Sequence, residues 1–420
     1  MCKKRVLMFG WEYAPYFSGG LGVVTKSIVE SLRKQGLEVI FVLPKIPVGM
    51  KNEFTHLINA SELVIEDIKE HVVESDDYIE TVLTPYMSSA DYTKTLDRTL
   101  EYIKKTLNLM KSGNGDLYGR NLIDEVNRYS LIAGQIAKKY PHHVIHTHDW
   151  MTANAGVVAK KYSGKPLVMH VHATEYDRTA GNPNQQVYEI EKKGMEKSDC
   201  IIAVSELTKQ KIVQYYGIPE DKIKVIHNAI DKIPDAHQIN NQIVKTDKII
   251  LFLGRMTVQK GAEYLLEAAA KVLKHKKRVK FIFVGQGDML EYLIKRSIEL
   301  KIEKKVIFTG FMNHTDVDKA YKMADLYVMP SVSEPFGITA LEAINNGTPV
   351  LVSKQSGVSE VIRNALKVDF WDVDEIANKI LAVIKYNPLS KFIAMNAEDE
   401  LHKIDWNSQS EKIVQIYNQI

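Results

Sequence analysis

Short apolar runs of strand length alternate with amphipathic helical stretches along this chain, twice over, and that alternation leaves few folds open. Residues 5–10 (RVLMFG) form a continuous apolar run of the kind buried on both faces of a parallel sheet. An amphipathic helix follows over 23–34, closed by Gly36, and the next strand covers 38–43 and stops at Pro44. The same alternation predicts a helix over 118–140, a strand at 144–147 and a helix over 150–162 with Asp149 as its N-cap. It continues with a strand at 166–171, a helix over 185–195, a strand at 200–204, a Ser205-capped helix to Tyr216 and a strand at 224–226. Residues 51–116 give a weaker signal: alternation at 79–83, polar helical text at 94–110 and a loop at 112–116.

Residues 228–245 are polar and weakly periodic, the composition of a linker. Beyond them the pattern starts afresh: strand 248–253, helix 262–274, strand 279–284, a helix to Leu300, strand 306–308, a helix to Met323, strand 324–329 and strand 349–353. A last helix over 408–419 follows Trp406, which resembles a core anchor. Strand–helix–strand units of this kind pack as doubly wound α/β layers with parallel sheets. At 420 residues the chain is long for one core. Two such domains are expected, over 1–235 and 236–400, with 401–420 as a terminal helix.

Lys plus Arg number 55 against 52 Asp plus Glu, a formal charge of +3, so bulk nucleic-acid binding is not expected and any anion must be held locally. Two cysteines, Cys2 and Cys200, are too few and too scattered for a disulfide framework or a zinc site, which fits a reducing cytoplasm. The apolar run at 6–9 is too short for a signal-peptide core, and no run approaches the ~18 apolar residues of a membrane span.

The stretch 330–350 (PSVSEPFGITALEAINNGTPV) carries the densest chemistry. It reads as strand, loop and helix, with Pro335 and Gly337 punctuating the loop and Ile338, Leu341 and Ile344 recurring at helical spacing. Gly337 and Thr339 stand where a helix start leaves backbone N–H groups free to bind an anion such as phosphate. Glu334 lies in the loop and Glu342 one to two turns into the helix; either acid alone could be merely solvated. In GRMTVQKG at 254–261, Arg255 and Lys260 sit in a loop that opens on the same edge of a doubly wound sheet. Two cations beside a helix start suit a pyrophosphate leaving group, although a lone pair of basic residues is more often solvated.

Glycines 19, 20 and 22 occupy the first strand–helix turn without forming G-x-G-x-x-G, so a dinucleotide is not implied. Histidines cluster at 142, 143, 146, 148, 170 and 172, with His146 and His148 on one strand face and His170 and His172 on another. No metal site is expected from these pairs, because a third ligand and a closed outer shell are not evident. His172 falls at the carboxyl end of its strand, where a neutral imidazole can hydrogen-bond a sugar hydroxyl or shield a positive centre; a packed histidine is the plain alternative. The basic run KHKKRVK at 274–280 is read as solvated helix-end charge.

Taken together, SGGLG at 18–22, HDW at 148–150, HATEYDR at 172–178, VIHNAID at 225–231, GRMTVQKG at 254–261 and EPFGITALE at 334–342 resemble the retaining nucleotide-sugar glycosyltransferases of the GT-B fold. Within that fold the resemblance is to glycogen and starch synthases and related group-1 transferases, and it spans essentially the whole chain. It implies two Rossmann-like domains facing a deep cleft, with the last helix crossing back to the first domain. It implies a donor, UDP-glucose or ADP-glucose, held mostly by the second domain, and no cofactor or metal. Arg255 and Lys260 would hold the diphosphate, the Gly337, Ile338 and Thr339 backbone would meet phosphate and sugar, Glu334 the sugar hydroxyls and Glu342 the ribose. Gly20 would approach the diphosphate from the first domain, and His172 would stand beside the donor sugar. The acceptor would be a glucan or another sugar. One position departs from the pattern: bacterial glycogen synthases usually carry Lys two residues before the paired glycines, and Phe17 stands there. A small-sugar or lipid-linked acceptor, a nucleotide-sugar epimerase, and a silent sugar-nucleotide binding protein are the alternatives.

Overall fold

The computed structural model describes residues 3–14, 20–46, 57–62, 122–231 and 247–420. The readings at 79–83, 94–110 and 112–116, Phe17, and most of the 228–245 linker lie outside the described residues. Two sheets, each paired wholly in parallel, organise the rest. The first comprises β1 (Arg5–Phe9), β2 (Glu38–Leu43), β3 (Leu57–Asn59), β4 (Val144–His148), β5 (Leu167–Val171), β6 (Cys200–Ala203) and β7 (Ile223–Val225). Its order is β3-β2-β1-β4-β5-β6-β7. The second comprises β8 (Lys248–Leu253), β9 (Val279–Val284), β10 (Val306–Gly310), β11 (Leu326–Met329), β12 (Val350–Ser353) and β13 (Leu366–Val368), in the order β10-β9-β8-β11-β12-β13.

In both sheets the winding reverses beside the first strand, between β1 and β4 and between β8 and β11. Ligand crevices of doubly wound sheets open at such points, beyond the carboxyl ends of the strands. The central strands are apolar throughout because helices cover both faces: Val6, Leu7, Met8 and Phe9 are fully buried. The helix Ala262–His275 shows how a covering element forms: Leu265, Leu266, Ala268, Ala269, Val272 and Leu273 repeat on one buried face while Lys274 and His275 favour its C-terminal end.

Two differences from the sequence reading have physical reasons. Asp149 does precede the helix Trp150–Ser163, but its φ of 57° turns the side chain away and it makes no cap hydrogen bond. Its carboxylate is used across the loop after β5 instead. The first helix runs Gly20–Lys34, three residues earlier than its apolar pattern alone indicates. Ser205 caps the helix Glu206–Tyr216 as expected, accepting from the Thr208 N–H.

After β13 come the helices Val373–Lys385, Asn387–Leu401 and Trp406–Gln419. The last packs on Gly20–Lys34, and Trp406, Ile413, Ile416 and Tyr417 join the cluster that holds Val6 and Ile28. Burying each such side chain stabilises by about 1.5–3 kcal/mol as an upper estimate, enough together to keep a short helix docked. Further ties join the halves: Ser205 Oγ donates to the Pro335 carbonyl at 2.6 Å, and the Glu360 carboxylate accepts from the Glu206 and Leu207 N–H groups at 2.9 Å each. Among the described residues no helix is long and apolar enough to cross a membrane.

Candidate active site

The loops after β8 and β11 form one wall. Gly261, with φ of 67°, is required where they touch, since a Cβ there would stand 1.9 Å from the Pro330 carbonyl oxygen. The Gln259 carbonyl accepts from the Val332 N–H at 2.9 Å. This approach brings Lys260 Nζ to 2.7 Å from Glu334 Oε2, which also accepts from Ser331 Oγ at 3.1 Å. Glu334 is buried, at 7% exposure, so its charge is balanced by Lys260 inside the protein rather than by water. Arg255 is exposed at the same loop, and no hydrogen bond or ion pair engages its side chain among the described residues.

Gly337 turns at φ 107° and opens the helix Ile338–Asn345. The N–H groups of Ile338 and Thr339 therefore have no intrahelical acceptor and point out of the helix start. Thr339 Oγ1 accepts from Tyr327 Oη at 2.8 Å, and Glu342 Oε2 accepts from Tyr321 Oη at 3.1 Å. Burial raises the Glu342 carboxyl above its ordinary range, with the Tyr321 hydroxyl opposing the shift. The Ile338 side chain packs against apolar clusters of both halves, so it is a contact between the halves as well as a helix start.

The facing wall is the loop after β5. Asp149 Oδ1 accepts from the His172 N–H at 2.6 Å and the Ala173 N–H at 3.2 Å, and Oδ2 accepts from Arg178 Nη2 at 3.1 Å. Arg178 also donates to Glu191 Oε1 and the Ala173 carbonyl, each at 2.8 Å. Burial pushes the Glu191 carboxyl up to about 7 even though Arg178 and the Tyr216 hydroxyl oppose it. His172 Nε2 lies 2.9 Å from His148 Nδ1. Burial first, and then the Arg178 charge, press His172 down to about 3, so its imidazole is neutral near pH 7 and acts as a hydrogen-bonding group rather than a cation.

A polar knot ties the two walls. Thr174 and Asp177 form a capping box, and Asp177 Oδ1 accepts from Ser333 Oγ at 2.6 Å. Lys211 pairs with Asp177 and donates to Ser333 Oγ at 2.6 Å. Burial alone would raise Asp177, but Lys211, Ser333 and the Thr174 N–H outweigh it and hold the carboxyl below its ordinary value.

Of the residues singled out by sequence, Lys260 and Glu334 are in contact, and Gly337, Ile338, Thr339 and Glu342 lie on the adjoining loop and helix. Arg255 shares the loop of Lys260, and His172 stands on the segment tied to Ser333 through Asp177. Gly20 opens the first helix, exposed, with open space where a Cβ would stand. Sequence reasoning took Asp149 for a helix cap only and missed Asp177, Lys211 and Ser333. The T-x-x-D spacing of Thr174 and Asp177 carried a signal for a cap. Lys211 carried none, because a lysine on an amphipathic helix is ordinarily solvated.

Comparison with known proteins bears on the family and the fold. The family model described as glycosyl transferases group 1 matches residues 235–400, and that of glycosyltransferase family 4 matches residues 117–232. A glycosyltransferase of uncharacterised activity from Methanocaldococcus jannaschii is 31% identical over 98% of this chain and 97% of its own length. A glycogen synthase of Mycobacterium tuberculosis is 25% identical over 98% of this chain and 94% of its own. The solved structure of a sucrose-phosphate synthase from Thermosynechococcus elongatus superposes with a TM-score of 0.73 over 99% of both chains at 18% identity, a likeness of fold. With two parallel-sheet, Rossmann-like domains of the GT-B type and a relative of this similarity along its whole length, the chain belongs to the group-1 glycosyltransferases.

Proposed function

We propose that this chain transfers glucose, with retention of anomeric configuration, from UDP-glucose or ADP-glucose to an α-glucan. The observation that carries the donor half is the Lys260–Glu334 pair at the start of the helix Ile338–Asn345, with Arg255 on the same loop unengaged by any described residue. In this reading Arg255 and Lys260 neutralise the diphosphate, and the Ile338 and Thr339 N–H groups meet its oxygens. Glu334 holds Lys260 in place and accepts from hydroxyls of the donor sugar, while Glu342 accepts from the ribose. The acceptor oxygen forms a bond to the anomeric carbon on the face that the nucleotide leaves. The electron pair of the broken bond departs with the terminal phosphate, which takes the acceptor's proton. Neutral His172 lies beside the sugar as a hydrogen-bond partner, and Gly20 lets the first helix approach the diphosphate.

The similarity to a glycogen synthase over nearly the whole chain supports a glucan acceptor. Thermal-shift titration with UDP, ADP, GDP and their glucose conjugates tests the donor, because a ligand of the folded state raises Tm with dose. Transfer of labelled glucose to glycogen, with the product's anomeric configuration read by NMR, tests the rest. A donor that stabilises the protein without labelling glycogen would move the acceptor to a small or lipid-linked sugar. An inverted product would overturn retention.

A further inference from the structure

We propose that His146, His148 and His170 bind one divalent metal ion of the zinc class within the first sheet, directly behind His172. The register of β4 and β5 sets His148 opposite His170, and the two-residue period puts His146 on the same face as His148. All three are buried, at 0%, 0% and 1% exposure, and one ring nitrogen from each lies within 4.8 Å of the others. The sequence alone showed two pairs on separate strands; the strand pairing supplies the third ligand.

Three features point to an ion rather than to packed histidines. Nε2 of His146, Nε2 of His148 and both ring nitrogens of His170 are buried without any hydrogen-bond partner among the described residues. Buried polar atoms are seldom left so, and four in one cluster exceed what a packed core tolerates. Next, His146 uses its Nδ1 on Tyr417 Oη and His148 uses its Nδ1 on His172, which leaves Nε2 bare in each. That division, one nitrogen held by an outer partner and the other free, is how metal-ligating histidines are oriented. Last, the ring centroids stand 4.6, 5.5 and 5.5 Å apart. Three imidazoles at zinc-to-nitrogen distances of about 2.0–2.1 Å around one tetrahedral ion place their centroids about 5 Å and their ligating nitrogens about 3.4 Å apart, so the ion draws the nitrogens in from their present spacing of up to 4.8 Å.

Burial presses all three histidines well below their ordinary range, so they are neutral, the form that ligates. The set holds no oxygen-rich cage, which excludes calcium and magnesium, and imidazole ligands suit zinc and its neighbours. With Nε2 of His148 on the ion, its Nδ1 carries the proton and donates to His172 Nε2, so His172 keeps its own proton on Nδ1. The ion thereby fixes the tautomer of His172.

Because the ligands are fully buried, the ion enters as the chain folds, and the test uses untagged full-length protein grown with added zinc or cobalt. About one ion per chain by elemental analysis, and ligand-field bands of tetrahedral cobalt in the cobalt-grown protein, are expected. His146→Leu and His170→Phe, each checked for native circular dichroism, should retain less than about 0.2 ion per chain. Folded wild type with under about 0.1 ion per chain overturns the proposal whatever the variants do. So does one ion per chain that both variants keep.

Discussion

At the scale of residues, Arg255 and Lys260 are a matched pair of opposites. Both are cations on one loop, but Lys260 is neutralised by buried Glu334, whereas Arg255 is exposed without a partner among the described residues. Removing Arg255 should therefore leave the fold alone: Arg255→Ala is expected to keep Tm within about 2 °C of wild type, the range of surface substitutions. The same change should lower kcat/KM for donor turnover by ~100-fold or more, the scale of losing one preorganised charge. Lys260→Ala should match that loss and also lower Tm, since it strands the Glu334 carboxylate. Paired turnover and melting measurements check this, and an Arg255→Ala enzyme of near-normal rate would remove Arg255 from the donor site. The identities of these residues were legible because their loops have fixed places at a sheet edge. That Lys260 and Glu334 meet was not, since the meeting of these residues, 74 positions apart, depends on Gly261 letting their two loops close to contact.

At the scale of elements, the 330–337 loop is held by the first half through Asp177, Lys211 and Ser333, and the helix Glu206–Tyr216 is capped by Glu360 from the second. Lys211→Met would leave Asp177, fully buried, without its cation, and should cost about 3–5 kcal/mol in a urea melt. The acid dependence has a definite sign. For Glu360, burial alone would raise the carboxyl, but His227 and the Glu206 and Leu207 N–H groups pull it below its ordinary 4.5. A carboxyl lowered in the folded state adds stability above its unfolded value and loses it as pH falls through the folded one. Wild type should lose stability below about pH 4.5 more steeply than Glu360→Gln, and parallel curves would exclude the role. Nearly every strand of both sheets was legible, because parallel strands buried on two faces are continuous apolar runs. The helix Val373–Lys385, outside the elements expected from sequence, carries an equally plain signature in Asp372, Ile376, Ile380 and Val383. Asp149 misled for a physical reason: an Asp before a helix is a good cap only with extended backbone, and its positive φ releases the carboxylate to organise His172.

At the scale of the whole molecule, the chain is closed on itself by its last helix. Trp406–Gln419 follows the second sheet in sequence yet contributes Trp406 and Tyr417 to the core of the first. Tyr417 Oη also meets His146, so the end of the chain reaches the histidines behind His172. Stability of the first half should then depend on residues that an order-of-domains view assigns elsewhere. Trp406→Ala is expected to cost about 3–5 kcal/mol, the range for emptying a large buried aromatic site. Hydrogen exchange locates that loss. If the last helix is part of the first core, amides of β1 and β4 lose protection by a larger factor than those of β8 and β11. If faster exchange is confined to residues 387–420, the helix only covers a core that is complete without it. The first outcome has a functional corollary: since the crossing helix and the Asp177–Lys211–Ser333 knot join the halves at separate places, a donor that binds the second half should slow exchange in β1 and β4 as well, and Trp406→Ala should weaken that protection.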